Sequence, residues 1–118
     1  MYFILATDGT VESDLLKRVL SRFSKYADER FTRVVHYPDC DMGIDLFLIE
    51  SFDIDKEHRI FEALFRAMHL LSRNGFSPHL VESGSSNVLQ QVRELTPERI
   101  RELVESASTF YMLSSRKS

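Results

Sequence analysis

Residues 31–52 read FTRVVHYPDCDMGIDLFLIESF, and the reading of this stretch decides the fold. Phe31 to Tyr37 is rich in β-branched and aromatic residues, the composition of a strand. Ile44 to Phe52 is a second such run, and Pro38-Asp39-Cys40-Asp41-Met42-Gly43 between them carries turn chemistry. Six residues can join two strands only as a hairpin, because a parallel crossover needs about a dozen or more. The stretch therefore predicts two antiparallel strands.

Outward from the hairpin, the chain is built of alternating periodicities. Tyr2 to Thr7 is an apolar run closed by Asp8-Gly9, which predicts a buried strand and a turn. Leu15, Leu16, Val19, Leu20, Phe23 and Ala27 recur at helical spacing, predicting a helix over 11–27 with Thr10 as its cap. Ile60, Phe61, Leu64, Phe65, Met68 and Leu71 predict a second helix, capped by Asp53 or Asp55 and ended by Asn74-Gly75. Phe76 to Ser83 reads as a fourth strand, with Pro78 favouring an edge position. A short helix is expected over 87–95. Thr96-Pro97-Glu98 then opens a last helix whose apolar stripe is Ile100, Leu103, Val104, Ala107, Phe110 and Tyr111. The order of elements is the split β-α-β, ferredoxin-like pattern. The expectation is an α+β sandwich, βαββαβ with antiparallel order 4-1-3-2, plus one or two C-terminal helices. A single domain is expected over 1–118, with its core in 1–83 and a helical extension in 84–118.

Composition narrows the functional classes. The single cysteine, Cys40, excludes an internal disulfide and a multi-cysteine zinc cluster, and points to a reducing compartment. The opening run Tyr2-Phe3-Ile4-Leu5-Ala6 is too short for a signal-peptide core, and nothing approaches the ~20 apolar residues of a membrane span. A cytoplasmic location without membrane association is expected. The net charge of −3 argues against nucleic acid as a partner. Charge is nonetheless segmented: residues 17–33 hold six basic and two acidic side chains, residues 39–62 eight acidic and two basic. Arg59, Arg66 and Arg73 recur along one face of the second helix, where Glu62 interrupts them, and they read as a solvated face. His36, His58, His69 and His79 show no close ligand spacing.

Two strands depart from the alternation of a one-sided sheet. Tyr2-Phe3-Ile4-Leu5 and Leu46-Phe47-Leu48-Ile49 are apolar on both faces, so something must cover the second face. Either the C-terminal helices fold back onto it or a homodimer or protein partner does. The same burial accounts for Tyr2, Phe3 and Phe47, the aromatic positions that an RRM-type RNA reader would use.

The expected topology gathers the Asp8-Gly9-Thr10 loop, the Pro38–Gly43 hairpin and the Asn74-Gly75 turn at one end of the sheet. Asp8, Asp39 and Asp41 are then candidate ligands for Mg²⁺ or Mn²⁺, which prefer hard oxygen donors. The placement resembles polymerase-palm and nucleotide-cyclase domains, and Tyr37-Pro38-Asp39-Cys40-Asp41 resembles the acidic hairpin of some DNA polymerases. That resemblance implies two-metal phosphoryl transfer. Ile4-Leu5-Ala6-Thr7-Asp8-Gly9-Thr10 resembles the opening of universal stress proteins, which implies a nucleotide contact at Asp8. The later Gly-rich phosphate loop of that family is missing here. Small-ligand regulatory domains of the ACT kind share the overall layout. The sequence reading favours a non-enzymatic binding or regulatory module that works through protein association, with a small ligand placed at Asp8, Gly9 and Thr10. The alternative is a small metal-dependent phosphoryl-transfer or nucleotide-binding protein using Asp8, Asp39 and Asp41.

Overall fold

A computed structural model describes residues 1–27, 32–52, 57–84 and 94–115. Over these described residues the protein is a mixed α+β fold with a four-stranded antiparallel sheet and three helices, in chain order β1 (Tyr2–Thr7), α1 (Ser13–Tyr26), β2 (Thr32–Asp41), β3 (Ile44–Ser51), α2 (Glu57–Arg73), β4 (His79–Gly84) and α3 (Pro97–Ser115). The strands lie in the order β2-β3-β1-β4, so β4 and β2 are the edges. The cap expected at Asp53 or Asp55 and most of the helix expected over 87–95 fall outside the described residues.

The two-sided apolar strands are explained by helices on both faces. Phe3, Leu5, Phe47 and Ile49 point into one core with Val19, Phe23, Ile60, Leu64 and Leu71 of α1 and α2. Their neighbours Ile4, Ala6, Leu46 and Leu48 point the other way, into a second core with Leu103, Val104 and Ala107 of α3. The period of two along each strand thus feeds two cores from one sheet. Of the two coverings expected for the second face, the C-terminal helix of the same chain is the one found, since α3 packs there. It also refines the fate of the aromatic pair: Phe3 and Phe47 are buried beneath α1 and α2, not beneath the C-terminal helix.

The hairpin is antiparallel, as its length requires, but its turn is tighter than expected. β2 runs on to Asp41, paired with Ile44, and only Met42 and Gly43 turn the chain. Both have positive φ, 54° and 71°, as the twist-matched two-residue hairpin demands. The extra residues form an irregularity between Tyr37 and Asp41, where Asp39 also takes a left-handed φ of 47°.

Helix ends follow local chemistry. α1 starts at Ser13 and not at residue 11, and Glu12 in the cap position makes no side-chain cap bond, so Thr10 is not the cap. The reason lies in Val11, which is buried in the α1–α2 core and gives its N–H to Asp45. α2 ends at Gly75, φ 88°, where the Phe76 N–H bonds Leu71 O and the Gly75 N–H bonds Ser72 O, the paired closure of a Schellman cap. α3 opens as expected: the Arg99 N–H donates to Thr96 Oγ1 at 3.2 Å, one residue before Pro97.

Candidate functional site

Two aspartates near one end of the sheet are positioned by adjacent strands, since Thr7 of β1 is paired with Asp45 of β3 and Asp8 follows Thr7. Asp45 is fully buried. Its Oδ2 accepts the Val11 N–H at 3.0 Å and lies 2.8 Å from His36 Nε2, while Oδ1 accepts the Asp39 N–H at 2.7 Å. One carboxylate therefore ties the loop before α1 and the β2 irregularity to β3. His36 completes the knot by stacking on Phe47, ring centroids 4.5 Å apart.

Asp8 is exposed and is used differently. Its Oδ1 accepts the Ser77 N–H at 2.8 Å, pinning the segment that enters β4. Across from it stands Tyr111 of α3, whose hydroxyl is shared between the Ala6 and Ser77 carbonyl oxygens. Burial, and then the Asp8 carboxylate, push the Tyr111 phenol well above its ordinary range, so it remains a neutral donor.

Asp8 and Tyr111 line two cavities. One, about 280 Å³, is completed by Met42, Ile44, Ser108 and Met112. The other, about 440 Å³, is completed by Ser77, Pro78, Phe110 and Ser114. Met42 also borders a third, about 520 Å³, between the hairpin tip and the first turns of α3, beside Cys40, Asp41, Arg101 and Glu105. The 280 and 520 Å³ cavities share Met42 and form a furrow along the flank of α3 that faces the hairpin, whereas the 440 Å³ cavity opens on the opposite flank, toward β4, where Phe110 stacks on His79. The furrow's rim is apolar and open: Met42 is 66% exposed and Met112 55%.

Of the residues expected to bind a ligand, Asp8 alone borders the furrow. Gly9 instead permits close packing, because a Cβ there would come within 3.1 Å of Phe76 Cε1. Thr10 is exposed and borders none of these cavities. The three aspartates proposed as metal ligands have separate roles. Asp8 accepts from Ser77, Asp41 accepts from the Met42 N–H at 2.9 Å, and Asp39 uses its own N–H toward Asp45. Among the described residues, no three His, Cys, Asp or Glu side chains are arranged to hold a metal ion. Burial raises the Cys40 thiol, and its Sγ bonds the Tyr37 carbonyl, so it is a packed thiol and not an activated one. Arg66 pairs with Glu62 and lies over the Tyr26 ring, which spends one member of the arginine row on local contacts.

The residues missed from sequence are Tyr111, Met112 and Met42. A signal existed for the first two: Phe110-Tyr111-Met112-Leu113 is four large apolar residues in a row, more than one helix face can bury. No family model matches the chain, and no curated protein matches it.

Proposed function

We propose that this chain is a non-enzymatic binding module of ferredoxin-like layout that associates with other proteins through the Asp8 end of its sheet. The strand neighbours, taken from the β4 edge, read 4-1-3-2, which supports the ferredoxin-like assignment together with the order of elements. The whole chain acts as one domain in this reading, since α3 supplies the second core. The observation that carries the function is the open furrow bordered by Asp8, Tyr111 and Met42, with large apolar side chains left at its rim.

The backbone at Met42 adds support. A bulky residue with φ of 54° costs about 1–2 kcal/mol relative to a residue that tolerates this region. Asparagine or glycine is the stable choice at that turn position. Retaining an exposed methionine there fits a contact role, as strain at a functional position does elsewhere. The chemistry at this end also favours binding over catalysis. The His36–Asp45 pair is spent on structure, and neither residue borders the furrow.

The test is selection from a phage-displayed library of random 12-residue peptides against the immobilised full chain, followed by rebinding to Ser108→Trp, which fills the furrow. Enriched peptides that lose affinity for the variant support the reading. No enrichment, or peptides that bind Ser108→Trp as well as wild type, overturns it. The phosphoryl-transfer alternative is tested by Mg²⁺ titration of the same chain. Saturable binding lost in both Asp8→Asn and Asp41→Asn would favour that alternative.

A further inference from the structure

We infer that the β2–β3 hairpin is a register switch: β2 has a second register two residues away from the observed one, and two carboxylates of β3 are the latch that excludes it. The first observation is the count of residues at the irregularity. Tyr37 is paired with Leu46 and Asp41 with Ile44, so Pro38, Asp39 and Cys40 stand opposite Asp45 alone. β2 therefore carries two surplus residues. Absorbing a surplus of one would turn every side chain to the other face, whereas a surplus of two leaves each on its own face. Drawn straight, β2 would keep Asp41 opposite Ile44 and bring Tyr37 opposite Leu48, Val35 opposite Glu50 and Arg33 opposite Phe52. The same step would relieve the left-handed φ of 47° at Asp39.

Apolar packing does not choose between the two registers. Val35 and Tyr37 face the α3 core and Val34 faces the α1–α2 core, and a shift of two residues preserves those faces.

Polar contacts do choose. Arg33 donates from Nε, at 3.1 Å, and from Nη2 to Glu50 Oε1. The Glu50 side chain is 1% exposed and its Oε2 has no hydrogen-bond partner, so the charge depends on Arg33 for compensation. In the shifted register Val35 would take the place of Arg33. Nearer the turn, Asp45 accepts the Asp39 N–H at 2.7 Å and lies 2.8 Å from His36 Nε2. The Leu95 N–H adds a neutral bond to the Tyr37 hydroxyl at 3.0 Å. These contacts hold β2 where it is, and their release lets it move by about 7 Å along the sheet.

The experiment follows the strand pairing by NMR in two variants of the full chain. The first, Arg33→Val with Glu50→Val, exchanges the buried ion pair for an apolar pair of no register preference, a replacement that buried pairs tolerate. It keeps Asp45 and is expected to show a second set of β2 resonances by saturation transfer, populated at about 1% or more, with Asp39 at the shifts of extended backbone. Wild type should show none. The second variant adds Asp45→Asn and should make the shifted register the major one, with nuclear Overhauser contacts from Tyr37 to Leu48 and from Val35 to position 50. A single set of resonances in the first variant, with contacts from Val35 to Leu48 alone, overturns the inference, whether or not the second variant folds. Observed-register contacts in a folded second variant overturn it as well.

Discussion

Asp45 and Asp8 belong to neighbouring strands at one end of the sheet and make opposite uses of the same carboxylate. Asp45, fully buried, serves Val11, His36 and Asp39 at once. Asp8, exposed, serves Ser77 and borders two open cavities. The difference follows from what covers each. Asp45 lies beneath the loop that leads into α1, where an uncompensated charge would be costly, so every direction is filled by a donor. Asp8 lies past the end of β1, where water and the flank of α3 meet. A carboxylate enclosed by donors holds a fold together, and one with a free side is available to a partner.

The largest effect is expected where that enclosure is broken. Asp45→Ala removes the acceptor for two backbone N–H groups and for His36, and should destabilise the fold by about 4 kcal/mol in urea unfolding. A loss under about 1 kcal/mol would mean that water replaces the carboxylate and that the knot is not structural. Next comes the scaffold of the furrow. Leu103→Ala, in the core between α3 and the sheet, should cost about 3 kcal/mol and weaken peptide binding only through unfolding. A sharper change runs the other way at the rim. Met42→Asn relieves the left-handed backbone and should stabilise the fold by about 1 kcal/mol while weakening peptide binding. Stabilisation without loss of binding would remove Met42 from the association surface.

The smallest expected effect is with pH. Burial holds His79 below the ordinary histidine value of 6.5, and its ring stacks on Phe110 at 3.7 Å, fastening the last turns of α3 to β4. A histidine depressed in the folded state binds its proton more readily when unfolded. Its contribution to stability is thus complete above 6.5 and is lost as pH falls below it. Urea midpoints at about pH 7.5 and about pH 5.5 should show the lower value in acid, and His79→Gln should narrow the gap. An unchanged gap would place the acid sensitivity on other groups.

The same contrast explains what is legible in the sequence. The hairpin follows from a short connection between two strand-like runs, and α3 from Thr96-Pro97, because local chemistry determines both. Apolar residues on both sides of β1 and β3 announce that the second face is covered. They leave open whether α3 or a partner covers it, since apolar surface is satisfied by either. Asp8 is readable as the end of a strand. Its neighbour across the furrow is not, because Tyr111 fits the buried stripe of α3 and its hydroxyl bonds depend on a contact 105 residues away. The convergence expected of Asp8, Asp39 and Asp41 rested on loop placement alone, and the irregularity at Tyr37–Asp41 directs those residues to separate backbone partners.

The most direct test of the division of labour compares Asp8→Asn with Asp45→Asn, measuring melting temperature and affinity for a library-selected peptide in each. Asp8→Asn retains an oxygen acceptor for Ser77, so it should melt within about 2 °C of wild type and bind the peptide several-fold more weakly. Asp45→Asn should lower the melting temperature by about 8 °C or more, with the folded fraction binding as wild type does. Equal loss of thermal stability in the two variants, with peptide affinity unchanged in Asp8→Asn, would make Asp8 a second structural carboxylate and contradict the account.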